Sequence, residues 1–255
     1  MASPPAPIIV QPTAPQTHTV VFLHGRGDNV NSFVQSLRYF QDSHDRSLGQ
    51  RFPSFRWVFP EAPTARPVSC PGQQWPQWFD IWNTADFSLR EELQAEGLRS
   101  SVDRIRQLLA QEAALLGGRW DRIILAGISQ GAATSVHTLL NLDIPQPGGG
   151  LAAFMGFSCR MPFPGRSLQD TRKVLQLDNV PEHADVLRNT PILLEHCVDD
   201  PLVLIDNGRG LRDSLRGFGA QVEWKEYPSG GHWFNSPAGM DDVAAFLGRV
   251  LSAQQ

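Results

Sequence analysis

The sequence contains few cysteines, no long apolar run and no excess of positive charge, and each shortage excludes a class of protein. Its three cysteines, Cys70, Cys159 and Cys197, are an odd number without C-x-x-C spacing, which argues against a disulfide framework or a structural zinc site. The longest apolar runs fall well short of the ~20 residues that a membrane-spanning helix requires. The net charge is −4 and the basic residues are scattered, so no nucleic-acid partner or anionic-membrane surface is expected.

The length of 255 residues fits one large domain with a full core. Residues 1–16 are rich in Pro and Ala and lack the basic start and apolar centre of a signal peptide. We therefore predict a disordered tail over residues 1–16 and a single domain over residues 17–255. The unpaired cysteines and the missing signal peptide indicate a cytoplasmic protein.

Short apolar runs alternate with helical patterns along the domain. Strands are predicted at residues 18–23, 56–59, 123–126, 151–157, 192–195 and 221–227. Helices are predicted at about residues 31–40, 91–116, 132–142, 203–218 and 240–251. This alternation predicts an α/β fold in three layers, with a mostly parallel central sheet between two layers of helices.

Two stretches interrupt the alternation. Residues 61–90 interleave prolines with tryptophans, and loops of this length are usually functional, so we predict a wall of the substrate site there. Simple packing on the sheet edge remains an equal alternative for any one of the tryptophans. Residues 160–189 have mixed charge and weak periodicity, and no chemistry is assigned to them.

The segment Gly127-Ile128-Ser129-Gln130-Gly131 lies between a predicted buried strand and a predicted helix. Such a turn holds its serine in a strained conformation above the sheet, and only glycines fit on either side of it. The amide of Gln130 then points to the same space as the hydroxyl of Ser129, so one turn supplies a nucleophile and an anion-stabilising donor. A chance match to G-x-S-x-G is the alternative.

A serine hydroxyl needs a base within hydrogen-bond reach and a third group to orient that base. On this topology both should follow later strands, in the order Ser, Asp, His. Asp200 follows the strand at 192–195, and His232 follows the strand that ends at residue 227. Asp199 is adjacent to Asp200, and either could instead cap the helix after Pro201. We choose Asp200. The pair of aspartates with His196 lacks the spacing of a metal site, so no metal is expected.

The loop His24-Gly25-Arg26-Gly27 follows the first predicted strand. Its glycines allow a backbone amide to point into the space above Ser129, and the amide of Arg26 is the candidate for the second donor of an oxyanion hole, with Gln130 as the first. His24 is expected to brace this loop by hydrogen bonds. A glycine turn without a role is the alternative.

Several segments resemble the acyl-protein thioesterase and phospholipase/carboxylesterase family of α/β-hydrolases. The resemblance rests on the following segments: Val20–Asp28, Phe59–Pro63, Gln77–Ile81, Arg122–Gly131, Asp200–Val203 and Gly231-His232. It implies an α/β-hydrolase fold, a triad of Ser129, Asp200 and His232, and an oxyanion hole from the amides of Arg26 and Gln130. By the same analogy Trp78, Phe79, Leu202 and Val203 line an acyl pocket. Arg26 departs from the family, which usually has an apolar residue there.

The resemblance and the residues together predict a serine hydrolase that cleaves carboxylic esters or thioesters through an acyl-enzyme, without a cofactor. The expected substrate is a small ester or an acylated protein or peptide, and a monomer or weak homodimer is expected. A general short-chain carboxylesterase without a protein substrate is one alternative. A hydrolase-fold binding module that has lost turnover is another.

Overall fold

A computed structural model describes residues 5–146 and 148–252. Its strands are β1 Ile8–Val10, β2 His18–Leu23, β3 Phe55–Phe59, β4 Thr64–Ala65, β5 Trp75–Pro76, β6 Ile123–Ile128, β7 Ala153–Phe157, β8 Ile192–Cys197 and β9 Val222–Tyr227. Its α-helices are α1 Val30–Ser36, α2 Leu48–Arg51, α3 Gln94–Leu115, α4 Gln130–Leu140, α5 Leu168–Val174, α6 Asp185–Asn189, α7 Ile205–Gly217 and α8 Ala238–Ser252.

The main sheet has seven strands in the order β1-β3-β2-β6-β7-β8-β9. All neighbours pair in parallel except β1, which runs antiparallel to β3 at one edge. The carboxyl ends of the parallel strands therefore meet at one edge of the sheet, where loops from distant parts of the chain can form a single site. The three-layer α/β prediction is confirmed.

Helices cover both faces of the sheet and divide the core into two apolar layers. One layer joins the sheet to α3, α4 and α7 and includes Leu98, Val136 and Leu211. The other joins it to α1 and α8 and includes Phe33 and Val243. The central strand β6 is buried along its whole length, as its continuous apolar run predicts for a parallel strand covered on both faces.

The predicted disordered tail is wrong for the part of residues 1–16 that the structure describes. Ile8–Val10 forms β1 against β3, and the amides of Thr13 and Ala14 both donate to the carbonyl of Pro53, at 2.8 and 3.1 Å. Pairing at a sheet edge uses main-chain groups, so a Pro/Ala-rich composition around a short β-branched run does not prevent it. The domain therefore begins before residue 17. Residues 1–4 lie outside the described residues.

The excursion at residues 61–90 includes the two-stranded antiparallel sheet of β4 and β5 and then turns inward. Trp78 and Phe79 are almost fully buried. A Cβ at Gly97 of α3 would lie 2.8 Å from the Cα of Phe79, so this glycine allows the excursion to pack directly on the helix. Within the described part of the chain, no helix is long and apolar enough to cross a membrane.

Candidate active site

Ser129 lies in the sharp turn between β6 and α4. Its backbone has φ 54° and ψ −123°, a conformation that non-glycine residues rarely adopt and that stores strain at functional turns. A Cβ at Gly131 would collide with the His24 carbonyl oxygen and lie 2.5 Å from that of Leu23, and one at Gly127 would lie 2.6 Å from the amide of Ala132. The two glycines are therefore required for α4 to pack this closely on β2 and β6.

Ser129, His232 and Asp200 form one hydrogen-bonded chain at the carboxyl edge of the sheet. The Oγ of Ser129 lies 2.8 Å from Nε2 of His232, and Nδ1 of His232 lies 2.8 Å from Oδ2 of Asp200. An ionised carboxylate can only accept, so Nδ1 carries the ring proton and Nε2 is left as the acceptor for the serine hydroxyl. This arrangement can take a proton from Ser129 during nucleophilic attack.

The carboxylate of Asp200 is buried and surrounded by donors. Its Oδ1 accepts the amides of Leu202 and Val203, both at 2.9 Å. Burial by itself would raise the pKa of Asp200, but the hydrogen bonds from His196, His232 and Val203 outweigh it and hold the pKa well below its usual range. Asp200 therefore stays ionised and keeps the orientation of His232 fixed.

Asp199, the alternative acid, has a different position. Its carboxylate accepts the amides of Gly231, at 2.8 Å, and Gly230, at 3.3 Å. It thereby holds the loop that carries His232, without contacting the imidazole. The cap alternative does not hold for either aspartate, because helix α7 begins at Ile205 and its N-cap residue is Leu204.

His196 is part of the site, although the sequence suggests for it only a comparison with metal ligands. Its side chain is 1% exposed, and Nε2 lies 2.7 Å from the carbonyl oxygen of Val203 and 3.3 Å from Oδ2 of Asp200. An N–H in this place donates to both oxygens, so His196 ties the carboxylate to the loop that follows β8. In the sequence, only its position four residues before Asp200 indicates that the two side chains could be in contact.

The amides of Arg26 and Gln130 are the two donors predicted for an oxyanion hole. Both residues line the cavity next to Ser129, and neither amide donates a hydrogen bond to another group in the described ranges. The side chain of Arg26 is engaged elsewhere, because its Nε donates to Oε1 of Gln77 at 3.0 Å and its guanidinium lies 5.0 Å from the Trp75 ring centroid. The main-chain N–H is thus available for another acceptor.

His24 braces the loop before Arg26, and it does so as a neutral imidazole. Nε2 accepts the amide of Ala62 at 3.0 Å, which leaves the proton on Nδ1, 2.8 Å from the carbonyl of Gly25. Burial lowers the pKa of His24 and favours the same neutral form. The predicted bracing role therefore agrees with the observed contacts.

A cavity of about 550 Å³ opens beside Ser129 and His232. Phe79, Leu202 and Val203 line it, in the places where an acyl pocket is expected. Trp78 does not line it, and its assignment to the pocket needs correction. Its indole N–H donates to the carbonyl of His24 at 2.8 Å. Phe79 therefore lines the cavity, whereas Trp78 supports the loop that carries Arg26.

The side chain of Gln130 fixes this wall of the cavity. Oε1 accepts the amide of Trp78 at 2.8 Å, and Nε2 donates to the carbonyl of Phe79 at 2.7 Å. The residue after the serine therefore connects the turn to the excursion. The sequence predicts a main-chain role for Gln130 but contains no signal for this side-chain contact, because the contact joins segments more than 50 residues apart.

The fold and the site define an α/β-hydrolase. The family model described as phospholipase/carboxylesterase matches residues 4–251. The chain belongs to the phospholipase/carboxylesterase family.

Relatives and a solved structure agree with this assignment. An acyl-protein thioesterase 1 of Gibberella zeae is 30% identical over 250 residues, which cover 96% of each chain. The crystal structure of Zea mays acyl-protein thioesterase 2 matches with a TM-score of 0.72 and 26% identity, and covers 96% of this chain and 98% of that chain. A relative from Oryza sativa subsp. japonica, 32% identical over 86% of this chain and 79% of its own length, is named a probable inactive carboxylesterase.

Proposed function

We propose that Ser129, His232 and Asp200 form the catalytic triad of a serine esterase or thioesterase, with acyl groups of small esters or of acylated proteins as its substrates. The observation that carries the proposal is the unbroken chain of two 2.8 Å contacts from Ser129 through His232 to Asp200. The similarity to acyl-protein thioesterases supports the choice of substrate class.

The geometry supports a two-step reaction. The Oγ of Ser129 bonds to the substrate carbonyl carbon while Nε2 of His232 takes the hydroxyl proton, and the amides of Arg26 and Gln130 receive the negative charge on the carbonyl oxygen. The C–O or C–S bond then breaks, and His232 returns the proton to the leaving alcohol or thiol. Water repeats the attack on the acyl-Ser129 ester, which releases the acid and restores the hydroxyl.

Replacing Ser129 tests the proposal directly. Ser129→Ala removes the nucleophile, so kcat for p-nitrophenyl butyrate should fall by about 10⁴- to 10⁶-fold while the far-UV circular dichroism stays unchanged. A fluorophosphonate probe should label the wild type at the peptide that contains Ser129 and leave the variant unlabelled. Ser214→Ala is the matched control, because this partly exposed serine lies on α7 and its hydroxyl donates to the carbonyl of Gly210. Full turnover by Ser129→Ala would refute the triad.

A binding module without turnover is the second candidate, because one relative carries a name that calls it inactive. That protein's name gives no cause, whereas this chain has all three triad side chains in contact. The two candidates differ in the labelling experiment. A folded wild-type protein that neither reacts with the fluorophosphonate nor hydrolyses the ester would favour the binding module.

The range of substrates distinguishes a general short-chain carboxylesterase from a protein thioesterase. The test compares kcat/KM for p-nitrophenyl esters with acyl chains from acetyl to palmitoyl and for an S-acylated peptide. A protein thioesterase should retain activity on the S-acylated peptide. A maximum at short chains together with no release from the peptide would favour the general esterase.

A further inference from the structure

The cavity beside Ser129 has a mostly apolar lining and contains one deeply buried cation, Arg160. This residue follows β7 and is 6% exposed. Its guanidinium carbon lies 4.0 Å from the ring centroid of Phe87 and 5.9 Å from that of Phe79, and all three residues line the cavity. Stacking on aromatic faces offsets part of the cost of burying this charge, but a buried charge normally also has an ionic partner.

Arg160 has few protein partners. Its Nη2 donates to Oε1 of Gln94 at 2.7 Å, and no carboxylate of the described residues lies within the 4.0 Å of an ion pair. Glu91, a carboxylate near enough to influence the pKa of Arg160, instead lies 3.9 Å from Nη2 of Arg166. Burial lowers the pKa of Arg160 to about 10, so the guanidinium is still charged at neutral pH.

Arg172 is a buried arginine with only a structural role, and its hydrogen bonds provide a comparison for Arg160. It is equally buried, 6% exposed, but it lies away from the cavity and donates to the carbonyls of Leu140 and Pro181, both at 2.6 Å. A guanidinium has five N–H donors. Arg160, which lines the cavity, donates through Nη2 to a neutral amide. Its Nε and Nη1 have no acceptor among the described residues.

The other charged residues in the lining do not neutralise Arg160. Arg26 and Asp28 line the same cavity and have opposite charges, so the lining retains the positive charge of Arg160. A planar guanidinium with free N–H groups matches the two oxygens of a carboxylate. Water alone would solvate it less well in an apolar cavity than such a ligand does.

We infer that Arg160 binds a carboxylate carried by the substrate, so that this enzyme prefers esters or thioesters with a second, anionic carboxyl group over plain fatty-acyl esters. The inference rests on the proposed function, because it assigns the substrate class of the same serine site. The carboxylate belongs either to the far end of the acyl chain or to the alcohol part, and the substrates chosen below distinguish the two sources.

Two matched pairs of substrates test the inference in a pH-stat assay. Monomethyl adipate and methyl hexanoate have acyl chains of the same length, with and without a terminal carboxylate. In the second pair, 4-acetoxybutanoate and butyl acetate, the carboxylate is on the alcohol part instead. We expect wild-type kcat/KM to be higher for the anionic member of one pair, and that pair identifies the side on which the carboxylate is bound.

Arg160→Met should lower this preference roughly tenfold to hundredfold, since a hydrogen bond to a charged group contributes that much. The variant should still hydrolyse the neutral member of each pair. Arg160→Lys should keep part of the preference, because lysine has the positive charge but not the paired N–H donors of a guanidinium. Arg166→Met is the matched control. Its side chain is half exposed and lies outside the cavity lining, so the preference should not change.

Two results would overturn the inference. One is a wild-type enzyme that prefers the neutral member of both pairs, a measurement that needs no variant to fold. The other is a folded Arg160→Met with an unchanged ratio within each pair. Either result leaves the proposed function intact if the neutral esters are still hydrolysed in a Ser129-dependent way, whereas loss of all Ser129-dependent turnover in the wild type would contradict the proposed function itself.

Discussion

Two neighbouring residues near the end of β8, Glu195 and His196, are both buried but lie on opposite faces of the sheet. His196 faces α7, where a Cβ at Gly208 would collide with its ring, and it donates to Asp200 and Val203. Glu195 faces α8, where a Cβ at Gly239 would lie 3.0 Å from its Oε2. Neither carboxyl oxygen of Glu195 has a hydrogen-bond partner within the described ranges.

The difference shows what makes a buried titratable group useful to the site. On the α7 face, Nε2 of His196 contacts the carboxylate of Asp200, and this contact fixes the position of Asp200. On the α8 face, burial and the nearby charge of Asp242 raise the pKa of Glu195 well above its usual value. Burial therefore favours the protonated, uncharged form of the Glu195 carboxyl.

On the α7 face, the largest loss of activity is expected from Asp200→Asn. The amide would present donors to His232 and favour the wrong tautomer of the imidazole, so kcat should fall by about 10⁴-fold, as expected for the loss of the triad acid. Steady-state kinetics with p-nitrophenyl butyrate would measure it. Asp199→Asn is the neighbouring control, and its loss should be far smaller because an amide oxygen can still accept from Gly230 and Gly231. Equal losses in both variants would remove the distinction between the two aspartates.

Crowding His196 tests the same face without changing a charged group. Gly208→Ala in α7 would push against the His196 ring and place a methyl 2.8 Å from Cη2 of Trp224. The free energy of unfolding should fall by about 1–3 kcal/mol. If His196 also positions Asp200, kcat should fall while KM stays nearly constant.

Gly210→Ala is the control for this test, because it lies in the same helix and no atom is within 4 Å of its added Cβ. Alanine is the better helix former, so this variant should be more stable by about 0.5–1 kcal/mol and unchanged in kcat. A Gly208→Ala protein that is less stable but has wild-type kcat would limit His196 to a packing role.

The β8 comparison also shows which features could be predicted from the sequence. Ser129, Asp200 and His232 could be found because each follows a strand, and the carboxyl ends of parallel strands share one edge. His196 and Arg160 could not, because their importance depends on partners that packing brings from other segments, Val203 and Gln94 among them. The family resemblance places Trp78 in the pocket, but the position of its indole depends on the contact with the carbonyl of His24, which the sequence does not reveal.

The smallest effect is expected on the α8 face, from Glu195→Gln. A carboxyl whose pKa is raised by folding binds more protons in the native state, so wild-type stability should decrease as pH rises above the unfolded pKa of about 4.3. Glutamine has nearly the same shape and does not ionise. The variant should therefore have the same free energy of unfolding as the wild type near pH 4 and a higher one at pH 8. Its Tm should rise by about 2–4 °C for each kcal/mol gained. Glu223→Gln, which changes a half-exposed residue paired with Lys225 and Arg249, should not show this gain. Calorimetric scans from pH 4 to 8 would check it, and an unchanged pH slope in Glu195→Gln would mean that Glu195 is ionised in the folded protein despite its burial.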